Sequence, residues 1–174
     1  KDEIAAADLA LVNQEVIIGG AALGITGYPS FNAPYELGDA LVEAGFDVVL
    51  HATNHTLDKG KKGVTNCLSF WAEQYPHIAV LGINESQEAQ DHNIFVYEQE
   101  GIRIAVLNYT YGTNGIPMPS GMPYAVNLLE EKKVAADIEK AKTMSDFIIV
   151  CPHWGTEYQL TPSAEQARWT QFFL

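Results

Sequence analysis

Short apolar runs alternate with helical patterns along this chain. Apolar residues recur at the i, i+3, i+4, i+7 spacing of a helix at Val64, Cys67, Leu68 and Trp71. The predicted strands are 7–12, 46–51, 78–81, 93–97, 102–108 and 146–151, and the predicted helices are 35–44, 61–74, 130–144 and 162–174. Because strands alternate with helices, we expect an α/β fold with a mixed, largely parallel sheet and helices packed on it.

Polar residues follow two of these predicted strands directly. Strand 46–51 leads into the segment 53–60, Thr-Asn-His-Thr-Leu-Asp-Lys-Gly, and strand 146–151 leads into the segment 153–158, His-Trp-Gly-Thr-Glu-Tyr. Chemistry in open α/β sheets collects at the carboxyl ends of strands. We therefore expect both segments to contribute to one site, with the loop at 109–125 nearby.

The first polar segment offers a ligand and an acid. Asn54 can supply a neutral oxygen to a metal, His55 can act as a general acid, and Asp58 can fix the tautomer of the imidazole. The same residues also suit a structural role. In that reading Asn54 forms an Asx turn, His55 is a satisfied loop residue and Asp58 is the N-cap of the next helix.

Three further positions are candidate metal ligands. Asn13 and Glu15 lie two residues apart on a strand end, so both project to one side and could form half of a divalent cation site, or simply be solvated. His153 could be an imidazole ligand or a packed strand terminus. His51 is expected in the core or behind the site, and His77 and His92 are expected on the surface.

Length and charge limit the classes of function. The 174 residues suit a single domain, and the formal net charge of −12 argues against nucleic acid as a partner. An anionic substrate would need a local positive centre such as a metal ion. The chain has no Gly-x-Ser-x-Gly elbow, phosphate-binding P-loop or dinucleotide fingerprint.

The motifs together resemble the bacterial capsule-synthesis family typified by CapA of poly-γ-glutamate production. The resemblance rests on 7–9 with 13–15, on 44–49, on the Asn-His-Thr-Leu-Asp motif at 54–58 and on the His-Trp-Gly-x-Glu-Tyr motif at 153–158. It implies a metallophosphatase-like αββα sandwich. It also implies that Glu15, Asn54 and His153 bind metal and that His55 protonates a leaving group.

The resemblance also implies a setting for the protein. We expect capsule or poly-γ-glutamate biosynthesis at the extracellular face of the cell membrane, by a metal-dependent hydrolase or by a non-catalytic polymer-binding, export or assembly component. Expected partners are an anionic polymer such as poly-γ-glutamate and other capsule-synthesis proteins. Expected cofactors are Mn, Fe or Zn.

The chain departs from the family pattern at both ends and at two internal positions, Gln14 and Thr53, the second of which replaces the commoner Asn. The family's Gly-Asp motif would precede Lys1, and its Gly-x-His-x-His motif would follow Leu174. We therefore expect 1–174 to be a single partial domain, truncated at both ends and lacking part of the metal ligand set. Gln14 replaces the usual Leu, and we expect it to face outward.

Overall fold

Two three-stranded sheets form the centre of the computed structural model, which describes residues 2–174. The strands are β1 (Leu11–Asn13), β2 (Val48–Leu50), β3 (Ala79–Leu81), β4 (Phe95–Gln99), β5 (Ile102–Thr110) and β6 (Phe147–His153). The helices are α1 (Asp2–Ala5), α2 (Tyr35–Ala44), α3 (Gly60–Gln74), α4 (Gln87–Asp91), α5 (Glu131–Met144) and α6 (Ala164–Phe173), with a 3-10 turn at Ala21–Leu23.

The first sheet is parallel and the second is mixed. The first has the order β1-β2-β3 with both pairings parallel. In the second, with the order β4-β5-β6, β4 and β5 form an antiparallel hairpin and β5 pairs with β6 in parallel. The predicted α/β fold with mixed, largely parallel strands is confirmed.

Side chains alternate along the strands between two apolar layers, so each sheet is covered by the other sheet on one face and by helices on the other. On β5, Val106 belongs to the apolar layer between the two sheets, whereas Leu107 packs in the layer that includes Val134 of α5. On β2, Val48 faces the other sheet and Val49 packs in the layer that includes residues of α3. Successive strand residues point to opposite faces, so this pattern builds a helix–sheet–sheet–helix sandwich.

Helix ends follow the local sequence. Helix α2 has the predicted bounds because Gly45, at φ 101°, adopts the left-handed conformation and donates its N–H to the carbonyls of Leu41 and Val42. Helix α6 begins later than predicted, because Ser163 and Gln166 form a reciprocal capping box. Strand β1 is shorter than the predicted 7–12, and the helical turn α1 was not predicted.

A buried asparagine joins the two sheets at their carboxyl ends. The Asn108 side chain accepts a hydrogen bond from the N–H of Ala52 at 2.8 Å and donates one to the carbonyl of Cys151 at 2.9 Å. Gly82 lies against it, and a Cβ there would be 2.2 Å from Asn108 Oδ1. Asn108 therefore fixes the loop after β2 relative to the end of β6.

His51 lies in the core at the end of β2. Its Nε2 accepts a hydrogen bond from the indole N–H of Trp71 at 3.0 Å, and the side chain is fully buried. Burial lowers the pKa of His51 from 6.5 to about 4, against a smaller opposing effect of the Gln14 carbonyl. The ring is therefore neutral in the folded protein at neutral pH.

We predict that Asn108→Ala lowers the free energy of unfolding by about 3 kcal/mol, because it leaves the buried N–H of Ala52 without its partner and removes the hydrogen bond to the partly buried carbonyl of Cys151. Chemical denaturation measures the change. The control Gln87→Ala, on the exposed face of α4, should change stability by less than about 0.5 kcal/mol. An Asn108→Ala protein as stable as the control would contradict a joining role.

We also predict a stability loss in acid that depends on His51. The pKa of the His51 ring is near 6.5 in the unfolded chain and about 4 in the folded protein. The stability that the neutral ring contributes is therefore fully present above pH 6.5 and is lost as the pH falls towards 4. The loss amounts to about 3 kcal/mol.

Denaturation curves of the wild type, His51→Gln and His77→Gln test this. The slope between the two pKa values should be much smaller in His51→Gln than in the wild type and should persist in His77→Gln, since His77 is exposed. The same slope in all three proteins would show that His51 is not responsible.

Candidate functional site

A cleft of about 880 Å³ opens at the carboxyl ends of β2, β5 and β6. Glu15 enters it from the segment after β1, Asn54 and His55 from the loop after β2, and His153 from the last position of β6. Tyr111 enters from the loop after β5. The carboxyl ends of strands from both sheets thus gather residues from four chain segments, as expected for parallel strands.

Glu15, Asn54 and His153 meet in this cleft. His153 Nε2 lies 2.8 Å from Asn54 Oδ1 and 3.8 Å from Glu15 Oε1. The predicted convergence of the two polar segments is therefore present in the structure. The three side chains provide an imidazole nitrogen, an amide oxygen and a carboxylate oxygen, which are all common metal donors.

The surroundings of His153 favour its neutral form. Burial lowers the pKa of the imidazole, the Glu15 carboxylate acts against this, and the nearby His55 ring adds to the lowering. The Tyr111 ring lies parallel to the imidazole, with centroids 6.4 Å apart and an interplanar angle of 10°. A neutral imidazole has a lone pair that can bind a metal ion.

His55 is held by Asp58 and Phe31. Its Nδ1 lies 2.8 Å from Asp58 Oδ2, and the Phe31 ring meets the imidazole edge-on at a centroid distance of 4.7 Å. The same Asp58 oxygen accepts the backbone N–H of Phe31 at 2.7 Å. Asp58 therefore orients the His55 ring through this contact. It is not the N-cap of α3, where Lys59 occupies that position without a side-chain hydrogen bond.

Two buried threonines shape the loop that carries Asn54 and His55. Thr53 Oγ1 donates to the carbonyl of Glu15 at 2.7 Å, which ties the loop to the neighbouring candidate ligand. Thr56 Oγ1 donates to the carbonyl of His51 at 2.5 Å and accepts the N–H of Thr53 at 3.0 Å. The backbone is thereby satisfied internally, and Asn54 is left to contact other side chains.

Not every predicted position lies in the cleft. Asn13 and Glu15 are both exposed with a buried residue between them, as alternation requires, but Asn13 does not line the cleft. The residue between them is Gln14, and the prediction that it faces outward is wrong. Gln14 is buried because its amide donates to the carbonyl of Val16 at 2.7 Å, which satisfies it inside the fold.

Phe31 and Asn114 are cleft residues that the sequence did not single out. Asn114 Oδ1 accepts a hydrogen bond from Asn54 Nδ2 at 3.2 Å. The signal available was general: 109–125 was predicted to be a loop near the site. That pattern does not identify which loop side chain contacts a residue that is distant in sequence.

The donor set suits part of a metal centre. Ligand atoms about 2.1 Å from one metal ion lie roughly 3 to 3.5 Å from each other, and the observed separations of 2.8 and 3.8 Å bracket that range. Across residues 2–174, no group of three or more His, Cys, Asp or Glu side chains could hold a metal ion. The described residues therefore fit one side of a coordination shell.

Comparison with solved structures supports the fold. A Staphylococcus aureus protein, provisionally assigned as a 5′-nucleotidase and solved in complex with α-ketoglutarate, superimposes with a TM-score of 0.55. The match covers 79% of this chain and 28% of that one at 18% identity. The predicted metallophosphatase-like αββα sandwich is confirmed by this likeness.

Sequence comparison identifies the family. The chain is 29% identical to a capsule biosynthesis protein CapA of Bacillus anthracis, over 78% of this chain and 33% of the relative. It is 28% identical to a PGA biosynthesis protein CapA of Bacillus subtilis (strain 168), over 72% of this chain and 33% of the relative. The matched stretch thus spans about a third of either relative. A sequence model described as bacterial capsule synthesis protein PGA_cap matches residues 1–174, so the chain belongs to that family.

Proposed function

We propose that this chain forms part of a capsule or poly-γ-glutamate biosynthesis protein with a metal-dependent hydrolase centre. The observation that carries the proposal is the meeting of Glu15, Asn54 and His153 beside the His55–Asp58 pair. A purely structural fold has no need to bring an amide, a carboxylate and two imidazoles together in an open cleft. The CapA relatives supply the biological process.

Glu15, Asn54 and His153 are the residues that would hold a divalent cation, and the family resemblance implies Mn, Fe or Zn. When bound, such an ion polarises an anionic substrate oxygen and activates water. Asn54 and His153 bring neutral donors, so Glu15 is the single charged ligand among the three. Further ligands would have to come from outside the described residues.

His55 is suited to protonate a leaving group. Asp58, whose side chain is only 2% exposed, fixes the imidazole through Nδ1 and leaves Nε2 as the nitrogen free to carry a proton towards the cleft. The Phe31 ring restricts tilting of the imidazole from the side. A proton donor held in this way can contribute about 10² to 10⁴ in rate.

The charge of the cleft makes a cation necessary for an anionic substrate. Its described lining contains the carboxylates of Glu15, Asp58 and Glu157 and no Lys or Arg. Poly-γ-glutamate or another anionic capsule precursor would be repelled by this lining. We therefore propose that a bound metal ion mediates its contact with the polymer.

A non-catalytic role in polymer binding, export or assembly is the second candidate. It is favoured by one observation, the lack of a full cluster of acidic, histidine or cysteine ligands across the described residues. In that case the fold would bind the polymer or other capsule-synthesis proteins without turnover. Metal content and turnover separate the two candidates.

Membership of a capsule-synthesis family supports association with the cell surface, and we propose the extracellular face of the membrane as the location. Among residues 2–174, no helix combines the length and apolar character needed to cross a membrane.

We predict that His153→Ala lowers the affinity of the full-length protein for Mn(II) by more than about 100-fold, since changes behind the ligands alone cost 10- to 100-fold. His55→Ala should retain the metal and lower the turnover of a phosphoester substrate by about 10² or more. Titration calorimetry and steady-state kinetics measure the two effects. His77→Ala, an exposed control, should change neither. Equal metal loss in the His153 and His55 variants would refute the separate roles.

We also predict that poly-γ-glutamate binds only in the presence of a divalent cation. Because the described cleft lining contains three carboxylates and no Lys or Arg, a chelator should abolish binding, and added Mn(II) should restore it. Sedimentation or fluorescence anisotropy with labelled polymer measures this. Binding that persists in chelator and in His153→Ala would place the polymer on another surface.

A further inference from the structure

The loop after β5 is rigidly attached to the strand that carries His153. The N–H of Tyr111 donates to the carbonyl of His153 at 3.0 Å, and the Tyr111 ring stacks on the imidazole. Thr110 Oγ1 donates to the carbonyl of Gly112 at 3.0 Å, which fixes the first bend of the loop. The position of the loop is therefore set by the strand end beneath it.

The loop ends in a tight turn with Asn114 at its tip. The N–H of Ile116 donates to the carbonyl of Thr113 at 2.9 Å, and Thr113 Oγ1 donates back to the carbonyl of Ile116 at 2.7 Å. Asn114 and Gly115 have φ values of 52° and 76°. Positive φ at both central residues is the mark of a type I′ turn, for which Asn-Gly is the favoured pair.

The turn directs the Asn114 side chain at Asn54. Asn114 Oδ1 accepts a hydrogen bond from Asn54 Nδ2 at 3.2 Å, while Asn54 Oδ1 lies 2.8 Å from His153 Nε2. A primary amide can present either its oxygen or its NH₂ group after a half rotation. An acceptor on the Nδ2 side favours the orientation in which the oxygen faces His153.

We propose that Asn114 is a positioning residue that holds the Asn54 amide with its oxygen, the only end that can bind a metal ion, turned towards His153. The consequence for metal binding rests on the proposed metal site, whereas the orientation of the Asn54 amide does not require a metal ion. Asn114 then acts through Asn54 alone, in the way that residues behind metal ligands commonly orient them.

The variant Asn114→Gly tests the proposal, because glycine keeps the positive φ of the turn and removes only the side chain. In the full-length protein we expect Mn(II) affinity to fall about 10-fold or more, with little change in melting temperature. Asn114→Asp keeps an acceptor for Asn54 Nδ2 and should retain the affinity. A loss of affinity in both variants, or in neither, would overturn the proposal.

A double-mutant cycle separates positioning from direct contact with the metal. If Asn114 acts only through Asn54, then adding Asn114→Gly to Asn54→Ala should weaken Mn(II) binding no further. An additional loss of the same size as in the single variant would show that Asn114 has an independent role and would overturn the assignment.

Nitrogen NMR of the His153 ring gives a readout without metal. When Asn54 Oδ1 faces Nε2, the neutral ring must carry its proton on Nε2, so the wild type at alkaline pH should show that tautomer. Asn114→Gly should add the Nδ1-protonated form as the amide rotates. An unchanged tautomer would contradict the proposal. A wild type that binds no Mn(II) would instead refute the metal site, and the tautomer would still decide the role of Asn114.

Discussion

The geometry of the site depends on the two hydrogen bonds of the Asn108 side-chain amide. The amide binds the backbone of Ala52 from one sheet and of Cys151 from the other, and each of these residues lies two positions before a candidate ligand, Asn54 or His153. One buried side chain therefore sets the separation of the two strand ends. The close approach of Gly82 leaves no room for a side chain at that point, so the joint is tightly packed.

Further hydrogen bonds attach the loops of the site to the strand ends near Asn108, and each of them satisfies a backbone group. Thr53 ties the Asn54 loop to the carbonyl of Glu15, and Tyr111 ties the next loop to the carbonyl of His153. Loops fixed in this way can present polar side chains without a large entropic cost on binding. The cleft is accordingly a preorganised arrangement of donors rather than a chance gathering of polar residues.

Local signals in the sequence predicted much of the fold. Helix α2 was predicted with its observed bounds because its apolar spacing and Gly45 agree. The strand-end positions of Asn54 and His153 followed from apolar runs that stop abruptly. The turn α1 was missed because it consists of a few residues with ambiguous preferences beside a predicted strand.

Contacts between distant residues could not be read in the same way. Asn108 looked like an ordinary strand residue, yet its partners lie 56 and 43 positions away. Asn114 reads as a turn residue, and its contact with Asn54 spans 60 positions. These side chains settle which strand ends and loops form one cleft.

The central claim is that Glu15, Asn54 and His153 bind one metal ion, and anomalous X-ray diffraction from crystals of the full-length protein grown with Mn(II) tests it most directly. The account predicts a manganese peak about 2.2 Å from Glu15 Oε1, Asn54 Oδ1 and His153 Nε2. Manganese bound elsewhere, with Asn54 Oδ1 still hydrogen-bonded to His153 Nε2, would contradict it.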